Sequence, residues 1–128
     1  MKYIWDTNIA IYYLNKGLNA NAIAFIDNIP ESTKPILSVI TEIELLGWPK
    51  ITEEESKKVK AFIANSTVLT INDEIKGRTI IIKQQKNIKR PDALIAATAI
   101  AFDLTLLSRN EKDFLDIKGL KFVNPFNG

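Results

Sequence analysis

The chain has 128 residues, 46% hydrophobic and 25% charged, with a net charge of +2 and neither cysteine nor histidine. That size and balance suit one globular domain, 1–128, with a core of its own. The absent cysteine excludes a disulfide scaffold, a thiolate nucleophile and Cys-based zinc or iron–sulfur sites, and the absent histidine excludes a Ser-His-Asp triad, a His general base and most zinc sites.

The elements alternate along the chain. Residues 2–5 form a short strand rich in β-formers. Residues 7–15 read as a helix stopped by Gly17, and 21–28 as a second helix closed by Pro30. A strand at 35–38 leads to Ser38, which can cap a helix over 39–47. Thr52 and Glu55 make a capping box that opens a helix to about residue 64. A strand at 67–71 follows, and Asn72 caps a helix to about residue 87. Pro91 suits the first position of a helix reaching residue 102. Residues 104–108 form a strand, 110–115 a short helical turn, and 121–123 a last edge strand. Strands separated by helices predict an α/β fold: a three-layer α/β/α sandwich around a mostly parallel sheet. Ligands of such sheets bind beyond the carboxyl ends of the strands.

Charge is unevenly spread. Between residues 76 and 90 there are six basic side chains (Lys76, Arg78, Lys83, Lys86, Lys89, Arg90) and no acid, while the remainder is net −4. Such a block is either a solvated helix face or a polyanion-facing surface. The apolar opening, 1–5, stops at Asp6, too soon for a signal sequence. The longest apolar run, 93–102, is half the length of a membrane span. A cytoplasmic protein with no membrane partner is expected.

Without histidine or cysteine, chemistry falls to carboxylates, which favour a hard ion such as Mg²⁺ or Mn²⁺. Asp6 directly follows the first strand, where it can hold an ion or merely cap the next helix. Glu42 and Glu44 lie two residues apart on one helix, about 200° around it, so they cannot share a pocket. Glu44 lies on the face of Ile40 and Thr41. Asp92 stands in the first turn of a helix that is apolar nearly all round and therefore buried. Asn110 and Asp113, after the fourth strand, are weaker oxygen donors that can equally serve the short helical turn. Carboxylates share a pocket only when a cation or protons offset their repulsion.

Four segments in register resemble the PIN-domain family, and within it the VapC-type toxins of prokaryotic type II toxin–antitoxin systems. They are Asp6-Thr7-Asn8, the stretch from Ser38 through Thr41 and Glu44 to Leu45, Asp92-Ala93-Leu94-Ile95-Ala96-Ala97-Thr98-Ala99, and Leu107-Ser108-Arg109-Asn110-Glu111-Lys112-Asp113-Phe114. The ending from Gly119 to Phe126 is similar to the usual tail of these toxins. The resemblance implies a metal-dependent endoribonuclease using Mg²⁺ or Mn²⁺, with Asp6, Glu44 and Asp92 as acidic ligands and Thr7 as a hydroxyl that helps hold them. The family's strand-end Asp is Asn110 here, which leaves Asp113 to act through water or only to cap the turn. Lys83, Lys86, Lys89, Arg90, Arg109 and Lys112 become candidate RNA contacts. The resemblance also implies structured RNA as substrate, often transfer RNA, a cognate antitoxin that holds the toxin inactive, and a homodimer. A dehalogenase-like phosphatase needs a second Asp where Asn8 stands. A PIN-like module without catalysis, binding RNA or protein, is the remaining alternative.

Overall fold

The computed structural model describes residues 2–127. Five three-residue strands form one sheet: β1 (Tyr3–Trp5), β2 (Ile36–Ser38), β3 (Thr67–Leu69), β4 (Thr105–Leu107) and β5 (Lys121–Val123). Seven helices connect or flank them: α1 (Thr7–Leu14), α2 (Ala20–Asp27), α3 (Val39–Leu46), α4 (Glu53–Ala64), α5 (Asp73–Gln85), α6 (Arg90–Ala101) and α7 (Glu111–Phe114). The strand order is β3-β2-β1-β4-β5 and every pairing is parallel.

Successive strand residues point to opposite faces of the sheet, and that alternation builds the three layers. Ile4, Ile36 and Leu106 pack with Ile75, Ala96 and Phe114 of α5, α6 and α7. Their neighbours Trp5, Leu37 and Leu107 pack with Ile9, Ala22, Leu45 and Val59 of α1 to α4. Burying each such aliphatic side chain contributes ~1.5–3 kcal/mol. The apolar helix α6 is buried as its composition predicts, with Ala93, Ala96, Ala97 and Ala99 turned inward. Alanines there allow a helix axis to lie close to its neighbours.

Local signals fix the helix starts. The Thr52 and Glu55 capping box is formed in both directions, each bond at 3.1 Å. Ser38 accepts from the Ile40 N–H and Asn72 from the Ile75 N–H. Most boundaries shift by a residue or two, and two of the shifts concern particular residues. The strand expected over 67–71 ends at Leu69, and Pro91 occupies the second position of α6, not the first. Both positions lie in a first turn whose N–H groups have no partner within the helix, so proline is tolerated at either.

The chain lays β1, β2 and β3 outward in one direction, then returns to build β4 and β5 on the other side of β1. The reversal falls between β1 and β4, the position where open parallel sheets form a crevice. Asp6 and Ser108 are the residues that follow these two strands. The Asp6 N–H donates to the Leu107 carbonyl at 2.9 Å, which ties the two strand ends together. Among the described residues no helix is long and apolar enough to cross a membrane.

Candidate active site

Asp6 stands at the N-terminus of α1, yet its side chain makes no capping bond. It is only 3% exposed and accepts a 2.8 Å bond from the Ser108 hydroxyl. The Ser108 oxygen in turn accepts from the Asn110 N–H at 3.0 Å. Burial pushes the Asp6 carboxyl up from 3.8 to about 6; Asp92 and Glu44 push the same way, while the Ser108 bond and the Thr7 N–H oppose it. The helix-cap reading of Asp6 is therefore not what its side chain does.

Asp92, in the first turn of α6, is also raised above its ordinary value, by burial first and then by Asp113 and Glu44, with Lys89 opposing. The carboxylates form an overlapping set: Asp92 and Glu44 act on Asp6, and Asp113 and Glu44 act on Asp92. Glu42 is absent from that set, in keeping with its opposite side of α3. Glu44 is held by a 2.7 Å bond from the Thr7 hydroxyl, and Thr7 also bonds the Thr41 hydroxyl at 2.9 Å.

Asn110 caps α7. Its carbonyl oxygen accepts from the Asp113 N–H at 3.2 Å, and its amide nitrogen donates to the Asp113 carboxylate at 2.9 Å. Both ends of the amide are spent on Asp113, so Asp113 is the group that carries negative charge toward Asp92. Among the described residues no three carboxylates are already gathered as a metal cage. The donor set nonetheless fits a hard divalent cation. It is all oxygen, it carries several negative charges, and apart from Lys89 beside Asp92 the bonds that hold it come from neutral hydroxyls and an amide.

The basic candidates divide. Lys76 pairs with Asp73 and Arg78 with Glu74 along α5. The Lys83 ammonium donates to the Ile88 carbonyl, and Lys86 to the Lys112 carbonyl and the Asp116 carboxylate. These lysines close the α5–α6 turn and fasten it to the loop after α7. Arg109 lies 4.4 Å from the Phe126 ring centroid and donates to the Tyr12 hydroxyl. Lys89, Arg90 and Lys112 are exposed, and Lys89 and Arg90 flank the start of α6 beside Asp92. A cleft of about 540 Å³, lined by Tyr3, Lys34, Pro35 and Asn65, includes none of Asp6, Glu44, Asp92 and Asp113 and lies against the residues that precede β2 and β3.

The sequence alone assigned no role to Thr41 or Ser108. A Thr three residues before a candidate Glu, and a Ser at a strand end, are the signals that mark them. Nothing local marks the Arg109, Tyr12 and Phe126 stack.

The PIN-domain family model matches residues 3–120, and the chain belongs to that family. Within it the chain is VapC-like. A chain in a toxin–antitoxin complex from Klebsiella pneumoniae is 29% identical, with a TM-score of 0.79 over 97% of this chain and 98% of that one. A chain of VapBC-1 from nontypeable Haemophilus influenzae is 25% identical, with a TM-score of 0.80 over 98% of each chain. A chain of VapBC2 from Rickettsia felis, solved bound to a DNA fragment from its promoter, shares the fold with a TM-score of 0.83 at 24% identity over 97% of this chain and 98% of that one. No curated protein matches the chain in sequence.

Proposed function

We propose that this protein is a divalent-cation-dependent endoribonuclease and the toxin of a VapBC-like pair. The observation that carries the reading is Asp6. A carboxylate almost fully buried at the β1–β4 reversal, held by Ser108 and raised further by Asp92 and Glu44, costs the fold stability, and such perturbed groups cluster at functional sites. Asp6, Glu44 and Asp92 would hold Mg²⁺ or Mn²⁺, with Asp113 adding charge behind Asp92. When bound, such an ion neutralises phosphate charge and acidifies the attacking water.

The remaining work belongs to the chain. Ser108 and Thr7 orient Asp6 and Glu44 through single hydroxyl bonds. Asn110 orients Asp113. Lys89 and Arg90, exposed at the start of α6, draw the RNA backbone to the carboxylates and add positive charge near the scissile phosphate. The similarity to chains of toxin–antitoxin complexes supports a cognate antitoxin as partner. A structured RNA such as transfer RNA as substrate, a homodimer and a cytoplasmic location complete the proposal.

The experiment is RNA cleavage by the purified protein with Mg²⁺ or Mn²⁺, against EDTA and against Asp6→Asn. Cleavage that depends on the ion and is lost in the variant supports the reading. Equal cleavage by Asp6→Asn refutes it. A Mn²⁺ titration separates it from a PIN-like module without catalysis, which would bind no ion through these carboxylates.

A further inference from the structure

Thr41 is completely buried, in the first turn of α3, three residues before Glu44. Threonines inside helices usually turn their hydroxyl back onto the carbonyl four residues earlier. Thr79 and Thr98 do this here, donating to Ile75 and Leu94 at 2.7 Å each. For Thr41 the residue four back is Leu37, which is still strand. Its hydroxyl instead crosses to Thr7 on α1.

The direction of that bond follows from counting protons. A hydroxyl has one hydrogen to donate. Thr7 gives its hydrogen to the Glu44 carboxylate oxygen. In the contact between Thr7 and Thr41 the donor is therefore Thr41. The result is a one-way chain of hydrogen bonds, Thr41 to Thr7 to Glu44, that begins in the core and ends on a carboxylate. Glu44 itself is on the exposed side of α3, where a free glutamate would sample many rotamers. We infer that Thr41 is a positioning residue: through Thr7 it holds the Glu44 carboxylate in the orientation that receives the divalent cation. The inference rests on the proposed function and adds a residue to it that touches neither ion nor substrate.

The test is calorimetric Mn²⁺ titration of the folded protein and its variants, with RNA cleavage as a second readout. Thr41→Val is nearly isosteric and removes the donor. It should raise the Mn²⁺ dissociation constant about three- to tenfold, the loss of one buried hydrogen bond. Thr41→Ser keeps the hydroxyl and should stay near wild type. Because Thr41 acts only through Thr7, the double variant Thr7→Val with Thr41→Val should bind no more weakly than Thr7→Val alone. Should the valine variant fail to fold, Thr41→Ala against Thr41→Ser carries the same comparison. Wild-type affinity in Thr41→Val, equal losses in Thr41→Ser, or additive losses in the double variant overturn the inference. Asp92→Asn separates the two levels. If it abolishes Mn²⁺ binding while Thr41→Val changes nothing, only the relay fails; if neither changes binding, the metal site fails with it.

Discussion

Replacing Asp6 with asparagine should make the metal-free protein more stable at neutral pH while abolishing its cleavage of RNA. The folded protein holds this carboxyl at about 6, against 3.8 ordinarily. Between about pH 4 and pH 6 the folded state therefore keeps a proton that the unfolded chain has released. Stability that is fully present below that window is lost as pH rises through it. At about 1.4 kcal/mol per pH unit, the ionised carboxylate costs about 3 kcal/mol above pH 6. Asparagine keeps an oxygen to accept from Ser108, but its amide nitrogen needs a partner of its own, so the net gain is about 1–3 kcal/mol. For a chain of this length that is a rise of about 4–12 °C in Tm. The assay is thermal or urea unfolding in EDTA at several pH values between 4.5 and 8. The difference between variant and wild type should grow to about pH 6.5 and then level off. Adding Mn²⁺ should raise the wild-type Tm by mass action and leave the variant unmoved. A variant less stable than wild type at pH 7.5, or a difference independent of pH, would refute the reasoning.

Three other outcomes are expected. Glu44→Gln should lower RNA cleavage at least about a hundredfold while Glu42→Gln stays within about threefold of wild type, because only Glu44 meets Thr7 and acts on Asp6 and Asp92; the reverse order in a cleavage assay would move the site to the other side of α3. Neutralising Lys89 and Arg90 should weaken RNA binding and lower the slope of log affinity against log salt by about 0.7 for each phosphate no longer neutralised; filter binding across a salt series checks this. Phe126→Ala should cost about 3–5 kcal/mol in urea unfolding and free Arg109, whose guanidinium lies over that ring.

What was legible in the sequence is what short-range chemistry specifies. Thr52 with Glu55, Asn72 and Ser38 cap helices through bonds that reach two or three residues, so their meaning is local. The apolar alternation at Ile4 and Trp5 specifies two opposite faces, hence layers on both sides of the sheet. A parallel sheet by itself places Asp6 and the residues after β4 at one edge. The partners of the site residues were not legible. Ser108 reaches Asp6 across 102 positions and Thr41 reaches Thr7 across 34. The block at 76–90 is free of acids in sequence but not in space. Asp73 and Glu74 lie just before it, and Asp116 folds back onto Lys86. Its net charge therefore overstates its unpaired charge: among the described residues Lys83, Lys89 and Arg90 are the members of the block without an ion pair, and Lys83 donates to the Ile88 carbonyl.

The means by which these carboxylates are held bears on what they are for. Folding leaves a domain a margin of only ~5–15 kcal/mol, so a cost near 3 kcal/mol at Asp6 is a large share of it. The simplest relief would be a lysine or arginine beside Asp6, which would pair with the charge and pull its pKa back down. The fold supplies neutral donors instead: Ser108 to Asp6, Thr7 to Glu44, Asn110 to Asp113. A hydroxyl or amide fixes a carboxylate's orientation and satisfies one lone pair without cancelling its charge. Among the described residues Lys89 is the only cation acting on Asp92, and none acts on Asp6. The cluster is thus oriented yet only partly compensated, and a divalent cation, if bound there as proposed, would remove that imbalance.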